Sequence, residues 1–159
     1  MTITRREAST LVGTIAGVLA LTPLLGTQLR AQTAKLVDAN MAAESELQQL
    51  PSMTPAIAKS VVARRPFKTV VDLNKFLLDQ KLTPEQTKVF YGKAFVPINL
   101  NTGTKDEFLL IPGVGARMSA EFAEYRPWKT WAQFDKEIGK YVGQTETDRL
   151  KLYFFIPGI

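Results

Sequence analysis

From Thr33 onward the apolar positions come in short runs, each cut off by proline or glycine, or by a threonine that opens the next run. In the second half, Thr104 with Glu107 three residues on has the spacing of a capping box, and the helix it starts must stop by Pro112. A new helix begins after Gly115 and runs to about Tyr125, where Arg126-Pro127 ends it. Thr130, with Gln133 three residues later, opens a third, and a fourth runs from about Thr145 and carries Leu150, Leu152 and Tyr153. The first half follows the same plan. Thr54-Pro55 opens its second helix, Thr69 with Asp72 its third, and Thr83-Pro84 with Gln86 its fourth. Proline fits the first helical position because its missing N–H has no partner there anyway. No segment alternates as a strand does, the apolar tail Tyr153 to Ile156 excepted. The pattern predicts an all-α fold.

The two halves are copies of one unit. Shifting the chain by 61 residues lays the stretch from Val37 over the stretch from Ile98 without a gap. Asn40 then meets Asn101, Glu46 meets Glu107, and Pro51 meets Pro112. Arg65-Pro66 meets Arg126-Pro127, Lys68-Thr69 meets Lys129-Thr130, and Phe67 faces Trp128.

Ahead of the repeats, Ala8 to Leu29 carries no charge, and Arg5-Arg6 precede it. Its densest apolar part, Leu11 to Leu25, has the length of a signal-peptide core and is short for a membrane span. Pro23 and Gly26 break it, and cleavage after Ala31 places Leu29 and Ala31 at the recognition positions. Left uncut, the segment serves as a tilted membrane anchor. The organisation expected is therefore a signal peptide or anchor over residues 1–32, a first repeat over 33–96 and a second over 97–159. The expected location is periplasmic or otherwise extracytoplasmic.

Composition narrows the chemistry. The chain has no cysteine and no histidine, which removes disulfides, thiolate nucleophiles and cysteine zinc sites. It also removes the usual base near neutral pH and the commonest metal ligand. Acid–base work would fall to carboxylates, Lys or Tyr, and no pair of these gathers with a purpose. The expectation is no enzyme, no catalytic residue, no metal, no cofactor and no small-molecule substrate. Lys and Arg outnumber Asp and Glu by 20 to 15. Arg5, Arg6, Arg30 and Glu7 precede Thr33, so 17 basic and 14 acidic residues follow, a mild bias compatible with a polyanion.

The second half carries Phe-Leu-Leu-Ile-Pro-Gly-Val-Gly-Ala-Arg-Met-Ser over Phe108 to Ser119. A helix ends, a turn with two glycines around one aliphatic residue follows, and a new helix starts. Gly113 and Gly115 permit angles and close approach that a β-carbon blocks, and Val114 points inward. From Ala116 the helix presents free N–H groups and the positive end of its dipole, where a phosphate oxygen fits. Arg117 adds a charge-assisted contact. Such binding reads no base, so it is sequence-independent and salt-sensitive.

This hairpin, preceded by Ile98-Asn99-Leu100-Asn101-Thr102 and followed by Tyr125-Arg126-Pro127, resembles the helix-hairpin-helix unit of ComEA-type competence DNA-binding proteins. The resemblance covers about Val37 to Tyr153, with one unit in each half. It implies two tandem helix-hairpin-helix bundles that grip double-stranded DNA outside the cytoplasmic membrane, with Gly113, Val114, Gly115, Ala116 and Arg117 as DNA-binding residues. The first repeat departs from the pattern. Its glycine positions hold Ser52 and Thr54, and Pro55 deletes a donor where a phosphate would sit. The second repeat departs at Met118, where the family often has a basic residue. The second hairpins, Lys81 to Pro84 and Val142 to Thr145, keep at most one glycine.

An alternative stays open. The extrinsic photosystem II subunit that resembles ComEA uses this fold without DNA, so a protein-interaction module facing a partner at the membrane fits the same scaffold. Phe67, Trp128 and Trp131 either stack on bases or plug the core. Arg64, Arg65 and Arg126 sit beside turns, where they cap helix ends or meet a phosphate.

Overall fold

A computed structural model describes residues 36–159, so the segment read as a leader over 1–32 lies outside the described residues. The first repeat runs β1 (Val37–Asp38), α1 (Glu44–Gln48), α2 (Pro55–Arg64), α3 (Val70–Asp79), α4 (Pro84–Tyr91) and β2 (Ala94–Phe95). The second runs β3 (Ile98–Asn99), α5 (Lys105–Leu109), α6 (Ala116–Glu124), α7 (Trp131–Val142), α8 (Gln144–Lys151) and β4 (Phe154–Phe155). The fold is predominantly helical. Among the described residues no helix is long and apolar enough to cross a membrane.

The threonine signals work as the spacing implies. Thr54 accepts from the Ile57 N–H at 3.2 Å, Thr69 from Asp72 at 3.1 Å and Thr83 from Gln86 at 3.2 Å. Thr104 accepts from Glu107 at 3.3 Å and Thr130 from Gln133 at 3.1 Å. Each such cap satisfies a donor the helix cannot, and is worth about 1 kcal/mol.

The all-α reading stands, and four short strands add to it. Besides the apolar tail, which forms β4, three further two-residue strands exist, and each repeat closes on itself through one parallel pair. Val37 pairs with Ala94 and Ile98 with Phe154. Two residues are too few to show a period of two, so the pattern alone cannot mark them. The register also exposes a shift. The offset is 61 residues at the front of each repeat, but β2 and β4 match at 60, because the α7–α8 connection is three residues shorter than its counterpart while α7 is two residues longer than α3.

A side chain fastens each repeat internally. Asn101 donates to the Trp128 carbonyl at 2.9 Å and accepts from the Trp128 N–H at 2.6 Å. Asn40 does the same with Phe67, at 2.9 and 2.8 Å. The amide thus acts as a strand neighbour for one residue 27 positions away, where Trp128 or Phe67 then sinks into the core. The core is continuous across both repeats. Phe95 packs edge-on against Tyr153, centroids 4.8 Å apart, and the Tyr153 hydroxyl donates to the Tyr91 carbonyl at 3.1 Å.

Candidate nucleic-acid interface

α5 ends at Leu109, and the chain turns through Pro112, Gly113 and Val114 before α6 begins. Gly113 has φ +85°, the left-handed region a side chain disfavours. Val114 is buried, and its N–H reaches the Ile111 carbonyl at 3.0 Å. Gly115 is different. Its φ of −103° is open to any residue, and a β-carbon added there would meet nothing within 4 Å. Only Gly113 is thus needed for the angle, whereas Gly115 leaves the space in front of α6 empty.

α8 holds this turn from behind. Arg149 donates to the Pro112 carbonyl at 2.7 Å, and Glu146 grips the same guanidinium through two hydrogen bonds of 2.7 and 2.6 Å. That grip raises the Arg149 pKa, hydrogen bonding to Glu146 being the main cause. The repeat counterpart of Arg149 is Val89, so the lock belongs to the second repeat alone.

The start of α6 is open. Its first helical bond runs from the Ser119 N–H to the Gly115 carbonyl at 3.0 Å. Among the described residues no side chain caps it, so the N–H groups of Ala116, Arg117 and Met118 face outward unpaired. Arg117 is exposed on the same turn.

The first repeat makes the same bend and closes it. Ser52, at the Gly113 position, also has a positive φ of 64°, and Met53 is buried where Val114 is. But Pro55 has no N–H, and Thr54 takes the N–H of Ile57. The second hairpins divide in the same way. α4 opens on a capping Thr83 followed by Pro84, whereas α8 opens on Gly143, with φ +78°, no side-chain cap and open space around it. Both closed starts lie in the first repeat and both open ones in the second. The sequence places the start of this helix at about Thr145 without a binding role, because the one-residue shift hides the alignment of Gly143 with Thr83.

Other candidates turn inward. Trp128 and Phe67 are buried, and the Trp128 indole donates to the Phe122 carbonyl at 2.8 Å. Trp131 is half-buried, edge-on to Phe134 at 5.8 Å. Arg126 donates to the carbonyls of Leu100, at 3.0 Å, and Gly103, and lies over the Phe108 ring. Arg65, its counterpart, buries Nε and Nη2, and burial lowers the pKa of both arginines. Glu46 and Glu107 reach back to the backbone N–H of Ala43 and Thr104, the helix-start role their spacing implies. Among the described residues no three of Asp, Glu, His or Cys gather to hold a metal ion.

Residues 32–84 match the family model of the helix-hairpin-helix motif. The match covers the first repeat through the start of α4, the copy whose helix starts are closed. No curated protein and no solved structure matches the chain.

Proposed function

We propose that this chain is an exported, non-enzymatic protein that binds double-stranded DNA through its backbone phosphates, in the manner of the ComEA-type proteins it resembles. The observation that carries the reading is the open start of α6. Three unpaired N–H groups, an empty approach at Gly115 and the exposed Arg117 converge there, and the helix-hairpin-helix match of the first repeat, of which this half is a copy in sequence, supports the reading. Gly113 and Val114 set the turn, while Gly115, Ala116 and Arg117 meet the phosphate. Binding of this kind has an affinity on the order of 10⁻⁴ to 10⁻⁶ M at physiological salt.

The test is fluorescence anisotropy of unrelated labelled duplexes, titrated with the purified protein across a salt series. The reading expects similar affinities for all sequences, weakening as salt rises. Arg117→Ala should weaken every duplex alike and flatten the salt slope by about one. Strong preference for one sequence, or no binding at low salt, would overturn it. A second reading, capture of a protein at the membrane, draws support from the first repeat, whose two Thr–Pro starts have no phosphate cradle. It takes over if no duplex binds.

A further inference from the structure

The second hairpin of the first repeat meets the first hairpin of the second repeat without filling the space between them. Leu78 of α3 and one face of α4 form one wall of a groove of about 480 Å³, and the turn from Leu109 to Gly115 forms the other. That size suits a small molecule, whose sites run roughly from 300 to 1,000 Å³ and favour junctions between packed units. The walls are apolar at Leu78, Leu110, Pro112 and Val114. Polar groups enter at two points. Asn74, half-buried, accepts from the Tyr91 hydroxyl at 3.0 Å through its Oδ1, which leaves its amide N–H groups to the groove. Lys88 is the only charged residue of the lining, and among the described residues it enters no ion pair.

The repeat supplies its own comparison. The matching face of the second repeat has Asp135, Gly139, Gln144, Asp148 and Lys151 where the first has Asn74, Leu78, Pro84, Lys88 and Tyr91. There the tie between the last two helices is ionic. Lys151 pairs with Asp135 and, at 3.1 Å, with Asp148, to which Gln144 also donates at 2.8 Å. The first repeat keeps the tie as the neutral Tyr91–Asn74 bond and drops both acids. The scaffold thus requires a tie at this face, but not an apolar groove beside a lone cation. Contact with the second repeat accounts for the lost acids, since an ion left there without a partner is costly. It does not account for Lys88, which brings an unmatched charge to that same junction. An anion with an apolar body answers both features.

We propose that this groove is a binding site for a small amphipathic carboxylate. The apolar body lies between Leu78 and the turn carrying Leu110, Pro112 and Val114, and the carboxylate accepts from Lys88 and from the Asn74 amide. The probe is naphthoate, two fused rings with one carboxylate, and naphthalenemethanol is its neutral analogue. Amide chemical shifts of the isotope-labelled protein follow both titrations. Naphthoate should saturate, shift amides of α3, α4 and the 109–115 turn, and bind about fivefold tighter than the alcohol, the worth of one exposed ion pair. Lys88→Met keeps the length of an exposed side chain and removes its charge, so it should erase that difference and leave the alcohol unchanged. Leu109 is exposed on the opposite wall. Leu109→Glu should weaken naphthoate and Leu109→Lys strengthen it, a dependence on sign that a change in folding does not produce, and circular dichroism reports the fold of each variant. Equal binding of naphthoate and the alcohol to wild type, or a difference that survives Lys88→Met, would overturn the anion site. Shifts scattered outside the groove, or no saturable binding of naphthoate, would overturn the groove as a site altogether. Duplex DNA enters none of these measurements, so their outcome is independent of the DNA reading.

Discussion

At Gly113 the backbone sits at φ +85°, while two residues later Gly115 is extended at −103° with open space around it. The glycines look alike in the sequence, but their energetics diverge. Gly113→Ala forces a β-carbon into the left-handed region and should cost about 1 kcal/mol or more in a urea titration. Gly115→Ser adds a capping oxygen at a permitted angle and should gain a few tenths of a kcal/mol. Its effect on DNA should be opposite, because the new side chain takes one of the free N–H groups and fills the approach. Equal stability losses at both positions would contradict this division. The need for a special angle was legible at Gly113 from the proline–glycine turn. That Gly115 is needed only for access was not, since a lone glycine carries no mark of its φ.

Between elements, the contacts that matter join residues far apart in sequence. Asn101 supplies both a donor and an acceptor to Trp128, and its removal leaves that buried residue's N–H and carbonyl unpaired. Asn101→Ala should therefore destabilise the protein by about 2 to 3 kcal/mol, read as a lower urea midpoint with an unchanged slope. A change under about 0.5 kcal/mol, the scale of an ordinary surface substitution, would show that water replaces the amide. The asparagines were visible as matched repeat positions, but their role was not, because the partner lies 27 residues on. The caps at Thr54, Thr69, Thr83, Thr104 and Thr130 were legible because a cap is written within four residues. The Arg149–Pro112 lock spans 37 residues and left no local trace. The strand pairs were equally hidden, since each joins the two ends of a repeat through single two-residue segments.

For the whole molecule, one scaffold is used twice with different surfaces. The first repeat seals the starts of its hairpins' second helices, α2 and α4, with threonine and proline, whereas the second repeat leaves the matching starts of α6 and α8 open and sets Arg117 and Lys140 beside the first of them. The duplication was plain in the sequence, and so was the contrast between Ser52–Thr54 and Gly113–Gly115. The groove between the repeats was not, because it forms only when the turn from Leu109 to Gly115 lies opposite α4. Export is a proposal at this scale, resting on the uncharged stretch from Ala8 to Leu29. Fractionation of expressing cells should find the protein outside the cytoplasm or in the membrane, and an intact chain in the cytoplasmic fraction would contradict it. The division of labour is tested most directly by closing the open repeat. Gly115→Thr combined with Ala116→Pro gives α6 the Thr–Pro start of α2, at backbone angles the two already share closely. The account predicts a variant at least as stable as wild type, by a few tenths of a kcal/mol from the added cap and about 0.5 kcal/mol from the proline, whose salt-sensitive binding to duplex DNA is largely lost. A stable variant that binds duplexes as wild type does would show that the α6 start is not where DNA is held.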